Sequence, residues 1–471
     1  MVDAEIGVLG LGVMGRNLAL NIADRGVTVA GYERDPELLK LARREAVAVG
    51  AHDDLAEFVA SLRAPRAVLL MITAGPAVDQ AIEALLPLLS PGDVIADGGN
   101  SDYQDTVRRE AGAREAGIGY LGLGVSGGEE GARHGPALMA GGADETYKRL
   151  EPVLLAIAAK ADDGAPCAER LGNAAAVGHF VKMMHNGIEY ADMQLIAEIY
   201  DLLARGQGFG AGEIAEIFEA WRDGPLASFL IDVTATVLRK LDEETGRPLV
   251  DLVLDSAGQK GTGRWASIAA LELGVAAPSI AEAVSARVVS SLVEERAAAA
   301  ERFPRPAAGA ETVTTEQLAE ALLAGKICAY AQGFAVLAAA SEANGWELAL
   351  DKVARNWRAG CIIRAGFLDD VASAFSNNSG IANLLMAPAF SDILERTVPA
   401  LRAVVAAAVG GGIPVPALSA SLAYFDGYVS ARLPANLIQA QRDFFGAHQF
   451  KRIDRPGEFH EDWYADRSAS S

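Results

Sequence analysis

The chain has 471 residues, 51 % of them apolar and 22 % charged, so it can bury a sizeable core and is not a disordered tail protein. Its 41 Lys and Arg against 62 Asp and Glu leave a net charge of −21. That excess argues against duplex nucleic acid or an anionic membrane as the main partner, whereas a small anionic ligand needs only a few local cations. Three scattered cysteines (Cys167, Cys328, Cys361) make neither a disulfide framework nor a zinc site and fit a reducing cytosol.

At roughly 150 residues per domain, the length predicts about three units, or two with one large. A strand-like run begins at Glu5, which leaves no room for a signal peptide. Apolar runs at 6–9, 27–30, 67–72, 93–96 and 118–121 alternate with helical patterns at 17–24, 77–89 and 106–116. That alternation predicts βαβ units and a parallel, doubly wound sheet. Past about Ala174 the strand signals nearly stop, and helices are predicted over 174–205, 228–242, 279–302, 315–343 and 399–409. The longest charge-free stretch, 403–425, contains Gly410, Gly411, Gly412, Pro414 and Pro416 and reads as buried helix, turn and helix, not a membrane span. Trp221-Arg222-Asp223-Gly224 before Phe229-Leu230 parallels Trp357-Arg358-Ala359-Gly360 before Phe367-Leu368. Each follows a helix with Tyr-Ala (Tyr190-Ala191, Tyr330-Ala331), a modest sign of duplication against chance likeness of Ala-rich helices. The segment 442–467 is dense in aromatics (Phe444, Phe445, Phe450, Phe459, Trp463, Tyr464) and predicts a docking tail; only the closing Ser-Ala-Ser-Ser reads as frayed.

Gly10-Leu11-Gly12-Val13-Met14-Gly15 follows a strand and opens a helix. In that context Gly10 allows the tight turn, Gly12 lets a pyrophosphate approach, and Gly15 permits close helix–strand packing. The second strand ends at Glu33-Arg34-Asp35. An acid there accepts a bond from the adenosine ribose 2′-OH and disfavours a 2′-phosphate, while Arg34 could pair that phosphate. Thr73-Ala74-Gly75 and Asp97-Gly98-Gly99-Asn100-Ser101 follow further strands, where ligands of open α/β sheets bind. Asn100 can donate and accept hydrogen bonds, which suits a nicotinamide or a substrate hydroxyl.

On the helix beginning near Ala174, the α-helical turn puts His185, Asn186, Glu189 and Tyr190 on the same face as Lys182. A base candidate, an acid candidate and neutral hydrogen-bonders thus lie together, opposite an apolar stripe. A solvated amphipathic face is the plain alternative. Ser126-Gly127-Gly128 offers backbone N–H groups as an anion nest, and Gln259-Lys260-Gly261-Thr262-Gly263 has the same character with an added cation. Arg287 lies on a later helix, and Arg442 and His448 in the tail. The stretch 442–455 carries +2 within the acidic chain, from Arg442, Lys451, Arg452 and Arg455 against Asp443 and Asp454.

These motifs resemble the decarboxylating 6-phosphogluconate dehydrogenases. The resemblance adds His179-Phe180-Val181-Lys182-Met183-Met184-His185-Asn186-Gly187-Ile188-Glu189-Tyr190-Ala191-Asp192 and Gln441-Arg442-Asp443-Phe444-Phe445-Gly446-Ala447-His448, and spans residues 10–448. It implies a Rossmann-like α/β domain over 1–174, a large all-α domain with an internal duplication over 175–435, and a tail over 436–471 that reaches the partner subunit of a homodimer. It also implies oxidation of 6-phosphogluconate at C3, loss of CO2 and protonation of an enediol to ribulose 5-phosphate, in the cytoplasm. Lys182 then resembles the general base and Glu189 the acid. Asn100, Ser126, Gly127, Gly128, His185 and Asn186 resemble substrate-positioning groups, and Tyr190, Lys260, Thr262, Arg287, Arg442 and His448 contacts to the sugar phosphate. No metal is expected, because a β-keto acid carries its own electron sink. Where NADP members have Asn-Arg-Ser or Asn-Arg-Thr this chain has Glu33-Arg34-Asp35, and where many have Lys it has Thr73. The cofactor is therefore NADP+ or NAD+, with a lean towards NAD+. The rivals are another β-hydroxyacid dehydrogenase, usually shorter, and a non-catalytic NAD(P) sensor, which needs neither Lys182 nor Glu189.

Overall fold

A computed structural model describes residues 3–46, 48–303 and 312–464; the closing Ser-Ala-Ser-Ser lies outside the described residues. The chain forms two compact units, Met1–Leu422 and Ala423–Ser471. In the first, β1 (Ile6–Leu9), β2 (Val29–Tyr32), β3 (Gly50–His52), β4 (Ala67–Leu70), β5 (Val94–Asp97), β6 (Gly119–Ser126), β7 (Ala137–Gly141) and β8 (Ala168–Gly172) make one sheet. Its order is β3-β2-β1-β4-β5-β6-β7-β8. The helices α1 (Val13–Asp24), α2 (Pro36–Glu45), α3 (Leu55–Ala60), α4 (Pro76–Leu85), α5 (Tyr103–Glu115), α6 (Gly128–His134) and α7 (Asp144–Ile157) connect the strands. Asp35, Asp54 and Asp102 cap α2, α3 and α5 by accepting backbone N–H bonds, which places three helix starts directly after their strands or turns.

Strands β1, β4 and β5 are buried at every residue, as expected when helices cover both faces of a parallel sheet. One core cluster holds Val8, Leu18, Leu69 and Leu154, and another holds Leu9, Phe58, Leu70 and Ile95. The expectation of a wholly parallel sheet is corrected at one place. Strands β6 and β7 are antiparallel, with Leu123 opposite Ala140. The connection, residues 127–136, is shorter than the dozen or so that a parallel crossover requires. The short strands β3, β7 and β8 were not anticipated, because Gly50-Ala51-His52 and Ala137-Leu138-Met139-Ala140-Gly141 have little β-branched or aromatic character.

After the sheet come α8 (Ala175–Asp201), α9 (Ala211–Ala220), α10 (Phe229–Arg239), α11 (Thr262–Glu272), α12 (Pro278–Ser291), α13 (Val293–Arg302), α14 (Thr315–Asn344), α15 (Leu350–Asn356), α16 (Leu368–Asn377), α17 (Pro388–Gly410) and α18 (Pro416–Val429). The helix expected over 279–302 is broken at Leu292. The stretch 403–425 is helix, turn and helix, as its Gly and Pro residues require. Helix α14 is long and apolar enough to cross a membrane by length and composition, but 89 % of its most apolar window is buried inside the fold. The segments after the two Trp-Arg motifs pair with each other: Phe229 N–H donates to Arg364 O (3.1 Å) and Gly366 N–H to Ala227 O (2.8 Å).

Helix α8 lies directly on the sheet. A Cβ on Gly178 would come within 2.0 Å of the Gly122 carbonyl oxygen, and one on Gly124 within 2.5 Å of Lys182 Cβ. Glycine at these positions lets the helix approach closely enough to bring Lys182 over the end of β6. The contact is locked by His179, 1 % exposed, whose Nε2–H donates to the Asp97 carbonyl (2.9 Å) while Nδ1 lies 2.6 Å from Thr106 Oγ1. In the second unit α19 (Ala435–Gly446) precedes a small antiparallel hairpin of β9 (Phe450–Lys451) and β10 (Glu458–Phe459). Its aromatics pack on one another, with Phe444 and Tyr464 ring centroids 4.8 Å apart.

Burial holds His179 below the usual imidazole pKa, so it stays neutral when folded. An unfolded His179 takes up a proton below about pH 6.5. Its contribution to stability is therefore present above that pH and is lost as pH falls towards the folded value. Urea midpoints of the wild type should fall from pH 7.5 to 5.5. In His179→Asn the slope should be shallower by about one proton, roughly 1.4 kcal/mol per pH unit below 6.5. An unchanged slope would show that His179 is not held neutral.

Candidate active site

The Gly loop joins β1 to α1. Gly10 has φ +98°, in the left-handed region, and a Cβ on Gly15 would sit 1.9 Å from the Gly10 carbonyl oxygen. A Cβ on Gly12 would meet nothing within 4 Å, so open space lies against the backbone where a pyrophosphate is expected. No side chain caps α1, which leaves its N-terminal N–H groups and dipole for an anion. The loop therefore fits a dinucleotide. Leu11 is buried, Met14 half-buried and Val13 exposed.

Glu33 is buried at the end of β2. Its Oε2 accepts the Leu11 N–H (2.8 Å) and its Oε1 the Asp35 N–H (3.0 Å), so it braces the Gly loop. Asp35 is otherwise engaged: Oδ1 accepts the Glu37 and Leu38 N–H groups at 2.9 and 3.3 Å as the cap of α2. Arg34, Thr73 and Asn100 are exposed, and Ala74 and Gly75 are half-buried at the start of α4.

The polar face of α8 is not solvated. Lys182, His185 and Asn186 are 7 %, 0 % and 9 % exposed, against the plain amphipathic reading. Ser126 ends β6 with its Oγ 2.9 Å from His185 Nε2. His185 Nδ1 lies 3.0 Å from Asn186 Oδ1, 3.4 Å from Lys182 Nζ and 3.6 Å from Glu189 Oε2. The Asn186 oxygen assigns the proton to Nδ1 and leaves Nε2 as acceptor. Asn186 Nδ2 donates to Thr262 Oγ1 (3.1 Å) at the start of α11. Tyr190 is buried beneath Arg287, whose guanidinium carbon lies 3.4 Å from the ring centroid. The arrangement thus unites Ser126, Lys182, His185, Asn186, Glu189 and Thr262, with Tyr190 and Arg287 beside them. Gly127 and Gly128, both with positive φ, form the turn into α6. Lys260 is exposed in the loop before α11, and Arg442 and His448 are exposed in the second unit.

Electrostatics separate the two ionisable groups that matter. Burial pushes the Lys182 ammonium below its usual pKa, against the opposing pull of Glu189 and Cys361. Burial pushes the Glu189 carboxyl above its usual range, against Lys182 and Arg287. His185 is driven well down by burial and by the Lys182 charge, so it is a neutral hydrogen-bonding group. An amine pushed towards its neutral form beside a carboxyl pushed towards its protonated form can serve as base and acid.

Sequence reasoning did not place Cys361 here. Its buried Sγ lies 2.9 Å from His185 Nε2, and burial pushes its thiol up to about 11. The neighbouring Ile362 N–H donates to Ser126 Oγ (3.3 Å), and a Cβ on Gly127 would lie 2.6 Å from the Gly360 carbonyl oxygen. The only signal was position, just past Trp357 in the repeated Trp-Arg motif. Also missed was the pair between Asp192 on α8 and Lys326 on α14, both at most 1 % exposed, with Nζ 2.6 and 2.7 Å from the two carboxylate oxygens.

The family model described as the NAD binding domain of 6-phosphogluconate dehydrogenase matches residues 5–172, and that described as the 6-phosphogluconate dehydrogenase C-terminal domain matches 178–463. A Klebsiella pneumoniae protein named 6-phosphogluconate dehydrogenase, decarboxylating, is 50 % identical over 98 % of this chain and 100 % of its own. A Bacillus subtilis protein named 6-phosphogluconate dehydrogenase, NADP(+)-dependent, decarboxylating, is 49 % identical over 98 % of this chain and 100 % of its own. A Plasmodium falciparum 6-phosphogluconate dehydrogenase, described in apo form and with NADP+ and 6-phosphogluconate, superposes with TM-score 0.93 at 40 % identity, covering 97 % of this chain and 100 % of that one. A Rossmann-like sheet, a large helical region and near-complete likeness at such identity converge: the chain belongs to the 6-phosphogluconate dehydrogenase family.

Proposed function

We propose that the chain converts 6-phospho-D-gluconate to D-ribulose 5-phosphate and CO2 with reduction of NAD(P)+. The observation that carries this reading is the buried Lys182 and half-buried Glu189 on one face of α8, shifted in opposite directions beside neutral donors and acceptors. Neutral Lys182 takes the C3 hydroxyl proton. The bound nicotinamide supplies the acceptor for the C3 hydride. The β-keto acid loses CO2 as Lys182 returns its proton to the C3 oxygen, giving an enediol. Glu189 then protonates C1 of that enediol while Lys182 takes the hydroxyl proton, and proton exchange between the two resets the pair. Ser126, Asn186 and His185, held by one hydrogen-bonded chain, orient the sugar hydroxyls. Tyr190, Lys260, Thr262, Arg287, Arg442 and His448 meet the phosphate end, where cations suit a dianion. Such a base and acid pair favours an enzyme over a sensor.

Residues 1–174 are assigned to the dinucleotide, 175–435 to dimerisation and substrate, and 436–471 to a tail serving the partner's site. Support for a homodimer comes from large exposed apolar side chains: Leu254 (66 %), Leu271 (77 %) and Val289 (53 %) near and on α11 and α12, and Phe445 (72 %) in the tail. Three buried free cysteines support a reducing, cytoplasmic setting.

For the cofactor, the negative charge of Glu33 opposes a 2′-phosphate and supports NAD+; both of its oxygens already accept backbone N–H groups, so it acts through that charge and not through a free acceptor. Asp35 adds less than its charge suggests, because its carboxylate is engaged in capping α2.

Three outcomes follow. Lys182→Met keeps the side-chain volume and removes the proton acceptor, so kcat should fall about 10²–10⁴-fold or more in a folded protein. Retention of more than about a tenth of wild-type kcat would falsify the assignment. Glu33→Asn should raise the kcat/KM ratio of NADP+ over NAD+ about tenfold by removing like-charge repulsion. A wild type that already prefers NADP+ by about tenfold would reverse the lean, with Arg34 dominant. Finally, chains carrying Lys182→Met mixed with chains carrying Arg442→Ala should regain activity towards half of wild type per heterodimer, since one site collects both defects and the other neither. No recovery in equilibrated mixtures would show that the tail serves its own subunit.

A further inference from the structure

The second unit is organised around one carboxylate that takes no part in the chemistry above. The Asp443 side chain is fully buried on α19. Its Oδ1 accepts the Gln449 N–H (2.9 Å) and lies 2.9 Å from His460 Nδ1. Its Oδ2 accepts the Glu461 N–H (3.1 Å) and the Trp463 indole N–H (2.8 Å). Four donors from two separate stretches after α19 thus converge on one group. Burial alone would raise its carboxyl; the donors outweigh that and hold it down to about 2.

The neighbours of Asp443 give this cluster its meaning. Arg442 is the residue before it, and His448 is the residue before the Gln449 amide that it holds. The Asp443 carbonyl also accepts the Ala447 N–H (2.9 Å), closing α19 with Ala447 at φ 46°. Gln449 has φ 59°. The backbone is therefore held in a left-handed conformation on both sides of His448. A Cβ on Gly446 would meet His448 Nε2 at 2.6 Å, so the imidazole is seated directly against that glycine. Left-handed conformations at non-glycine residues persist only where surrounding contacts over-determine them. Asp443 supplies those contacts on both sides.

We propose that Asp443 is a positioning residue for substrate binding: it ties the end of α19 to the chain around β10 and so fixes Arg442 and His448 relative to each other. This rests on the reading that those two groups bind the phosphate end of 6-phosphogluconate. The role is specific to an ionised carboxylate. An amide of the same shape offers one acceptor oxygen and meets the remaining donors with an NH2 group.

The test uses the full-length enzyme. Asp443→Asn should raise the KM for 6-phosphogluconate roughly tenfold or more, the effect of losing charge-assisted hydrogen bonds at one group. The cofactor KM and kcat should stay within about twofold, since neither depends on the tail's cations. Trp463→Phe, which removes a single donor, should shift the substrate KM the same way by less, and it carries the test if Asp443→Asn does not fold. In an Arg442→Ala/His448→Ala background, Asp443→Asn should add less than about twofold, because the groups it positions are gone. A full additional effect in that background, equal changes in both KM values, or an unchanged substrate KM overturns the proposal. If the wild type does not turn over 6-phosphogluconate at all, the functional reading itself fails, an outcome distinct from a working wild type with an indifferent Asp443→Asn.

Discussion

Burying the polar face of α8 against the sheet is the constraint on which the rest of the site depends. An isolated ammonium or carboxylate loses several kcal/mol when taken out of water, so a face carrying Lys182, His185, Asn186 and Glu189 enters a fold only with partners arranged for it. The partners come from distant parts of the chain: Ser126 from the end of β6, Thr262 from the start of α11, Cys361 and Ile362 from the segment after α15. Each is held where it can satisfy α8, and Gly122, Gly124 and Gly178 remove the side chains that would keep α8 and the sheet apart. Close packing and the lowered Lys182 pKa thus share one cause: the approach that forms the core also desolvates the amine.

What could be read from the amino-acid sequence was local. The Gly loop, the strand that precedes it and the face of α8 are set by residues within a few turns of one another, and period and spacing reveal them. Cys361 is 176 residues from His185, and nothing within its own segment marks it. Lys326 is 134 residues from Asp192 and sits in a helix that otherwise reads as pure core. Short strands such as β3 and β7 carry too little β-forming character to stand out, and the antiparallel turn from β6 to β7 follows from a short connection whose ends were not visible. Asp35 shows a different ambiguity. Its type and place suggest a ligand contact, and its Oδ1 also accepts two backbone N–H groups at the start of α2. A charged residue just before a helix has two uses, and sequence alone does not choose between them.

The two buried lysines of the helical region show how the fold separates structure from chemistry. Lys326 and Lys182 are both enclosed, and α14 and α8 pack together. Lys326 is met by both oxygens of Asp192, so its ammonium has a fixed counter-ion. Lys182 has no carboxylate within salt-bridge distance among the described residues; its Nζ lies 3.4 Å from the neutral imidazole of His185. Burial therefore acts on Lys182 without full compensation and favours the neutral amine. The Asp192 carboxylate follows Glu189 by one helical turn on α8, and its negative charge adds a small upward push to that of burial on the Glu189 carboxyl, against Lys182 and Arg287. Lys326 supplies the counter-charge that Asp192 needs inside the core. Burial is the largest influence on Glu189 and on Lys182 alike, and it moves the carboxyl up and the ammonium down, so one helix carries two enclosed groups shifted in opposite directions while the Asp192–Lys326 pair beside them stays a fixed ion pair.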